Sequence, residues 1–337
     1  MGNYNISNIP ISVIMCVYNA EEYLDISVKS ILEQDFTDYE FIIVNDASTD
    51  DTSNILSSFK DKRIKIIENK KNLGLTKSLN RALKLAKGEY IARMDADDIS
   101  LSNRFSVQYS YLQNHLEIDI VGSQVIHFDN DKEYFFSKPE TTQSINTSLF
   151  YSNPIMHPSV MIRKSFIINN ELSYREKLKY SQDYGLWIDS HLKGRIVNLN
   201  KILLHYRISS NNITSSTKHD SGKRHLEIFD LLFDANNIQL TNEEKFNYVQ
   251  SIYSPNFKID YHILKIAFSK ILSGVYKNEE YNVDILKNIF GYIWLKNIIR
   301  KRNIMRIFSV YTYYGIKETF RRFKSDWKLK SRYYKSM

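Results

Sequence analysis

The feature that most constrains the fold is an alternation in the first hundred residues. Four short apolar runs, Ile11–Val17, Glu40–Asn45, Ile64–Ile67 and Tyr90–Met94, each have the length and β-branched content of a buried strand. Helix-like segments separate them. Leu24, Val28, Ile31 and Leu32 recur at helical spacing behind acidic residues; Ile55, Leu56 and Phe59 follow a turn- and cap-rich stretch from Asp46 to Thr52. Leu79, Leu83 and Ala86 follow the turn Asn72-Leu73-Gly74, and Lys87-Gly88 ends that helix. Strands alternating with helices predict an α/β fold, a mostly parallel, doubly wound, Rossmann-like sheet with right-handed crossovers. Sheets of this kind gather ligands beyond the carboxyl ends of their strands.

The fourth run ends at such a rim in Asp95-Ala96-Asp97-Asp98. Three carboxylates within four residues repel one another, so a positive partner is expected among them. A hard divalent cation with oxygen ligands, able to bridge to phosphates, is one candidate. The competing expectation is an acidic loop, with Asp98 capping a helix that starts near Ser100.

Further on the regularity loosens. We expect a helix to about residue 115, a strand from Asp119 to Phe128, a charged hairpin around Asn130-Asp131 and a helix near 141–149. A loop from Asn153 leads into a strand ending near Arg163, and a helix begins near Gln182-Asp183. Two short strands, Ile196–Leu199 and Ile202–Tyr206, precede a polar stretch from Ser209 to Thr217 that suits a mobile loop or a domain boundary. The pattern is helical from about 220 on. We expect a catalytic α/β domain over 1–217 and a helical C-terminal region over 218–337.

Composition excludes several classes. The single cysteine, Cys16, rules out an internal disulfide and a cysteine-built zinc site. No apolar stretch reaches the ~20 residues of a membrane span, and no signal peptide pattern opens the chain, so a cytoplasmic protein is expected. The net charge of +8 is uneven: residues 291–337 hold 13 lysines and arginines against Glu318 and Asp326. Interleaved with aromatic residues, this tail suits either an anionic membrane face or a solvated helix face. Nucleic acid is disfavoured, because the basic excess lies in the tail and not around the predicted cleft.

Four motifs together carry a resemblance. Ser12-Val13-Ile14-Met15-Cys16-Val17-Tyr18-Asn19, Val44-Asn45-Asp46-Ala47-Ser48-Thr49-Asp50, Asp95-Ala96-Asp97-Asp98 and Gln182-Asp183-Tyr184-Gly185-Leu186-Trp187 resemble, in order and spacing, the successive motifs of family 2 inverting glycosyltransferases. More narrowly, Asn153–Ser216 and the tail from Met305 to Gly315 are similar to bacterial lipooligosaccharide β-1,3-N-acetylglucosaminyltransferases. The resemblance implies the GT-A fold, a UDP-sugar donor, an oligosaccharide or lipid-linked glycan acceptor, and Mn2+ or Mg2+.

Roles follow residue by residue from that resemblance. Tyr18 packs on uracil and Asp46 accepts its ring N–H, with the Cys16 backbone nearby. Asp97 ligates the metal, and Asp95 contacts the ribose or the metal; Asn72, Gly74 and Lys77, at a strand-to-helix turn, suit the lining of the nucleotide by position, with a plain turn and a solvated lysine as the alternative. Asp183 is the base that deprotonates the acceptor hydroxyl. Arg207 suits a diphosphate contact, and the Ser209–Thr217 loop closes over the donor.

Departures from the family pattern stand beside these. Cys16 replaces the usual proline and Gln182 the usual glutamate; Ser209 stands where relatives often carry histidine, leaving His157 and His205 as possible substitute ligands. Two functions remain open on sequence: an inverting transferase, most consistent with GlcNAc but also with galactose or GalNAc, and a non-catalytic nucleotide-sugar or glycan-binding protein.

Overall fold

The structure, a computed structural model, describes residues 9–129, 132–178, 180–208, 221–254, 257–301, 311–312 and 314–317. The predicted hairpin tip Asn130-Asp131, the loop Ser209–Thr217 and most of the basic tail lie outside the described residues. Two compact units are present. One comprises Met1–Lys138, Ile155–Leu186 and Lys193–Ser209; the other comprises Pro139–Pro154, Trp187–Leu192 and Ser210–Met337.

In the first unit, β1 (Ile11–Val17), β2 (Tyr39–Asn45), β3 (Ile64–Glu68) and β4 (Tyr90–Met94) alternate with α1 (Leu24–Leu32), α2 (Thr52–Ser58) and α3 (Leu75–Leu85). The four strands lie side by side in the order β3-β2-β1-β4, and all their pairings are parallel. The apolar runs are explained by burial: every residue of β2 and β4 is buried, whereas β3, at the sheet edge, is largely exposed. Gly88, between α3 and β4, is fixed by a close approach, since a Cβ there would lie 2.4 Å from the Ser12 backbone nitrogen.

The sheet continues past β4 with mixed direction. β5 (Ile99–Ser100), β6 (Ile120–Phe128), β7 (Glu133–Phe135), β8 (Met161–Arg163) and β9 (Ile196–Arg207) extend it in the order β4-β8-β6-β9-β5, with β7 on β6. β8 is antiparallel to β4 and β6, while β9 runs parallel to β6 along its length. The two short strands expected near 196–206 are thus one strand. The polar Asn200-Lys201 interruption is absorbed by register shifts opposite Ser123-Gln124-Val125, as bulges and not as a turn.

The expected helix cap at Asp98 is also corrected. Ser100 belongs to β5, and α4 (Arg104–Asn114) begins four residues later, with Asn103 at its N-cap position and no side-chain cap bond. α4 then buries Phe105 and Leu112 against β1, β2 and β4, completing a core with Phe41, Tyr90 and Met161. Such burial contributes roughly 1.5–3 kcal/mol for each large apolar side chain.

The second unit contains α5 (Thr142–Ser148), α8 (Ser221–Ala235), α9 (Asn242–Tyr253), α10 (Tyr261–Val275) and α11 (Val283–Lys301), after α6 (Lys164–Asn169) and α7 (Gln182–Ser190) in chain order. Thr241 and Glu244 form a capping box at the start of α9, and Asp260 accepts two backbone N–H bonds at the start of α10. Phe268 and Phe290 stack at 4.2 Å, with Tyr248 edge-on to both. Among the described residues no helix is long and apolar enough to cross a membrane.

Candidate active site

Parallel register brings three of the motifs to one rim. Val17 is paired with Asn45, and Met15 with Met94, so Tyr18, Asp46 and Asp95 each follow the carboxyl end of a neighbouring strand. Tyr18 is half exposed, and Cys16 sits one pair deeper, opposite Val44. Asp46 is buried, and its carboxylate accepts from Leu73 N–H at 2.9 Å, Gly74 N–H at 2.8 Å and Asn69 Nδ2 at 2.5 Å. These bonds tie the turn before α3 to the end of β2. Gly74 has φ +87°, a backbone state that other residues rarely adopt. Asn72 Oδ1 also accepts from Gly74 N–H, at 3.1 Å, and exposed Lys77 lies 3.9 Å from the Glu176 carboxylate.

Beside them the three acids converge: Asp95, Asp97 and Asp98 present oxygens that all lie within 4.8 Å of one another. Asp95 is ion-paired with Arg93, a buried arginine inside β4. The Asp97 carboxyl is pushed up to about 6, first by burial and then by the charge of Asp95. Asp98 is fully buried, and burial with its two acidic neighbours drives its carboxyl well above the usual range. One oxygen of Asp98 accepts the Arg207 backbone N–H at 2.8 Å, and Oδ2 has no hydrogen-bond partner.

These observations fit a divalent cation. Three hard oxygen donors are held together at a strand end, at least one buried oxygen is unsatisfied, and the crowding that raises two carboxyl groups is the kind that a cation relieves. From behind, fully buried Arg104 fastens the strand end by donating to the carbonyls of Pro158 at 2.6 Å and Arg93 at 3.1 Å.

Arg207 is held in place by its own contacts. Its Nε donates to the Asp97 carbonyl at 2.8 Å, and its guanidinium lies 4.0 Å from the Tyr23 ring centre and 4.5 Å from that of Phe128. Side chain and backbone together clasp the acidic loop to the end of β9.

Asp183 lies in the first turn of α7 and is partly exposed. Tyr174 lies within the electrostatic reach of both Asp183 and Asp95. Burial raises the Tyr174 phenol above its usual range, Arg93 opposes the rise, and the negative charges of Asp183 and Asp95 both add to it. The Tyr174 hydroxyl and His157 Nε2 are 2.7 Å apart, and burial together with Arg93 holds that imidazole well below its ordinary value. His205, on β9, packs its ring 6.0 Å from that of Phe128. Neither histidine belongs to the carboxylate group, and Ser209 lies outside the described residues. Gln182 is buried, and its side-chain oxygen has no hydrogen-bond partner.

Sequence reasoning missed Arg93, Arg104 and Tyr174. Arg93 did leave a signal, a lone cation in an otherwise apolar strand that leads into the acids.

The model of Glycosyl transferase family 2 matches residues 12–171. The Escherichia coli O-antigen biosynthesis glycosyltransferase WbnJ is 36% identical over 216 residues, covering 61% of this chain and 82% of that protein. A second Escherichia coli relative, UDP-Glc:alpha-D-GlcNAc-diphosphoundecaprenol beta-1,3-glucosyltransferase WfaP, is 30% identical over 207 residues, covering 61% of this chain and 80% of that protein. The crystal structure of S. aureus TarS 1–349 in complex with UDP-GlcNAc superposes with a TM-score of 0.61 at 22% identity, covering 89% of this chain and 91% of that 1–349 chain, a likeness of fold.

Proposed function

The chain belongs to glycosyl transferase family 2 with a GT-A fold, and on that premise we propose that it is an inverting, metal-dependent transferase. It moves a sugar from a UDP donor to a bacterial surface-glycan acceptor by direct displacement. The single observation that carries this reading is the alignment of Tyr18, Asp46 and Asp95 at the ends of adjacent parallel strands, with Asp97 and Asp98 beside Asp95. Uracil, ribose and diphosphate are met in that order along one rim.

Each residue then has a task. Tyr18 stacks on uracil, and Asp46 offers its remaining acceptor capacity to the ring N–H. Asn72 and Lys77 flank the nucleotide at the turn that Asp46 holds. Asp97 and Asp95 would hold Mn2+ or Mg2+, which supplies Lewis-acid stabilisation to a departing diphosphate. Asp183 takes the proton of the acceptor hydroxyl as it attacks the anomeric carbon from the side opposite the leaving group.

For the donor sugar we propose GlcNAc, β-1,3-linked. The resemblance to lipooligosaccharide N-acetylglucosaminyltransferases favours it, and UDP-glucose is the first competitor because the relative WfaP is named for that donor. The basic, aromatic C-terminal segment favours an acceptor met at an anionic membrane face. A thermal-shift screen of UDP-sugars with Mn2+, followed by UDP-release assays with the stabilising donor, tests the whole reading. Stabilisation and turnover with a UDP-sugar are expected, and stabilisation without turnover across donors and acceptors would favour a binding protein instead.

The clasp makes Arg207 a positioning residue for the acidic loop. Arg207→Lys keeps the charge but loses the planar stack and the Nε–H bond. Mn2+ affinity of the nucleotide-free protein is expected to fall about tenfold or more, by isothermal titration. Unchanged Mn2+ affinity with weakened UDP binding would assign Arg207 to the diphosphate.

A further inference from the structure

A row of aromatic rings runs beside the acids. Tyr206 of β9 is paired with His127 of β6, and His127 with Tyr134 of β7. On the other side, the antiparallel ladder that sets Ile99 opposite His205 places Asp98 in line with Tyr206. Directly paired residues share a face of the sheet, so a row of three rings leads away from the carboxylates across three strands.

The rings touch in sequence. His127 lies 5.2 Å from Tyr206 and 5.6 Å from Phe136, which follows β7 and alternates with buried Phe135 so as to fall on the side of Tyr134. The outer end is open: Phe136 is 57% and Tyr134 36% exposed, while His127 and Tyr206 are partly buried. Burial, reinforced by Lys138, pushes the His127 imidazole down to about 4, so at neutral pH it is an uncharged ring. Tyr206 feels the acids directly; after burial, the charges of Asp98, Asp95 and Asp97 are what raise its phenol.

We propose that this row is an acceptor subsite, in which Phe136, His127 and Tyr134 receive the C–H face of a pyranose ring of the acceptor glycan and lead its hydroxyl toward the acids past Tyr206. The proposal rests on the glycosyltransferase reading. Its chemistry selects a sugar over an acyl chain. The row is one ring wide and is broken by an imidazole and two phenol hydroxyls, one of them 3.4 Å from the Asp129 carboxylate. A pyranose has a matching patch of C–H groups bordered by hydroxyls, whereas an acyl chain requires a continuous apolar groove. Continuity of the row with the carboxylates would let further units of the same acceptor glycan reach from the bound sugar toward the acids.

Saturation-transfer difference NMR on the full chain with Mn2+, with and without UDP, tests this using the methyl glycosides of GlcNAc, glucose and galactose as probes. At least one glycoside should receive saturation, strongest at the C–H protons of one ring face. Combined Tyr134→Ser and Phe136→Ala substitution should weaken that signal by about fivefold or more, with Phe136→Trp retaining it and UDP affinity unchanged in both variants. Absence of saturation for all three glycosides, or an undiminished signal in the double variant, overturns the subsite. Failure of the unsubstituted chain to bind UDP is read separately in the same samples and counts against the donor reading.

Discussion

Replacing Asp97 by asparagine is expected to lower metal-dependent turnover by at least about a thousandfold, or about 4 kcal/mol of transition-state stabilisation. Asparagine has nearly the same shape and removes one charge from a group of three carboxylates whose oxygens lie within 4.8 Å. Two consequences separate this from damage to the fold. Mn2+ binding by the nucleotide-free variant should be lost in calorimetry. Thermal stability without metal should be equal or higher, because like-charge repulsion in a largely buried place has been relieved. Retained turnover with Mn2+ would remove the carboxylate from the centre of the mechanism, and a large drop in melting temperature would make it a structural residue.

Asp183→Asn should cost about a thousandfold in kcat, within the ~10²–10⁴ range for removal of a general base, and leave donor affinity alone. The distinction follows from position. Asp183 lies in the first turn of α7, an element other than the strands that carry Tyr18, Asp46 and Asp95. A loss confined to kcat, with unchanged UDP-sugar and Mn2+ binding, is the expected pattern. A variant that transferred sugar at the original rate would show that another group takes the proton.

What could be read from the sequence divides along physical lines. β1, β2 and β4 are legible because strands buried on both faces are written as continuous apolar runs. Their carboxyl-terminal acids are legible as soon as parallel order is assumed. The strands β6, β8 and β9 are legible too, but not their order, because the antiparallel place of three-residue β8 between β4 and β6 depends on contacts distant in sequence. Asp98 illustrates the same limit. Its local surroundings suit a helix cap, yet its partner is the backbone of Arg207, 109 residues away. Arg93 and Arg104 were invisible as a pair because each side chain finds its partners only after the strand end and α4 have packed together.

On the proposed donor reading, the Asp46 carboxylate bears on nucleobase choice. Because Leu73, Gly74 and Asn69 all donate to it, it is locked as an acceptor before any ligand arrives. Held by three donors, it cannot swing aside to suit a different base. Uracil brings an N–H to such a group, whereas cytosine brings a lone pair, and two acceptors facing each other repel. Discrimination between uridine and cytidine nucleotides would then reside in the backbone of the turn before α3 and not in the width of the cleft, so changes that widen the cleft alone would leave it intact.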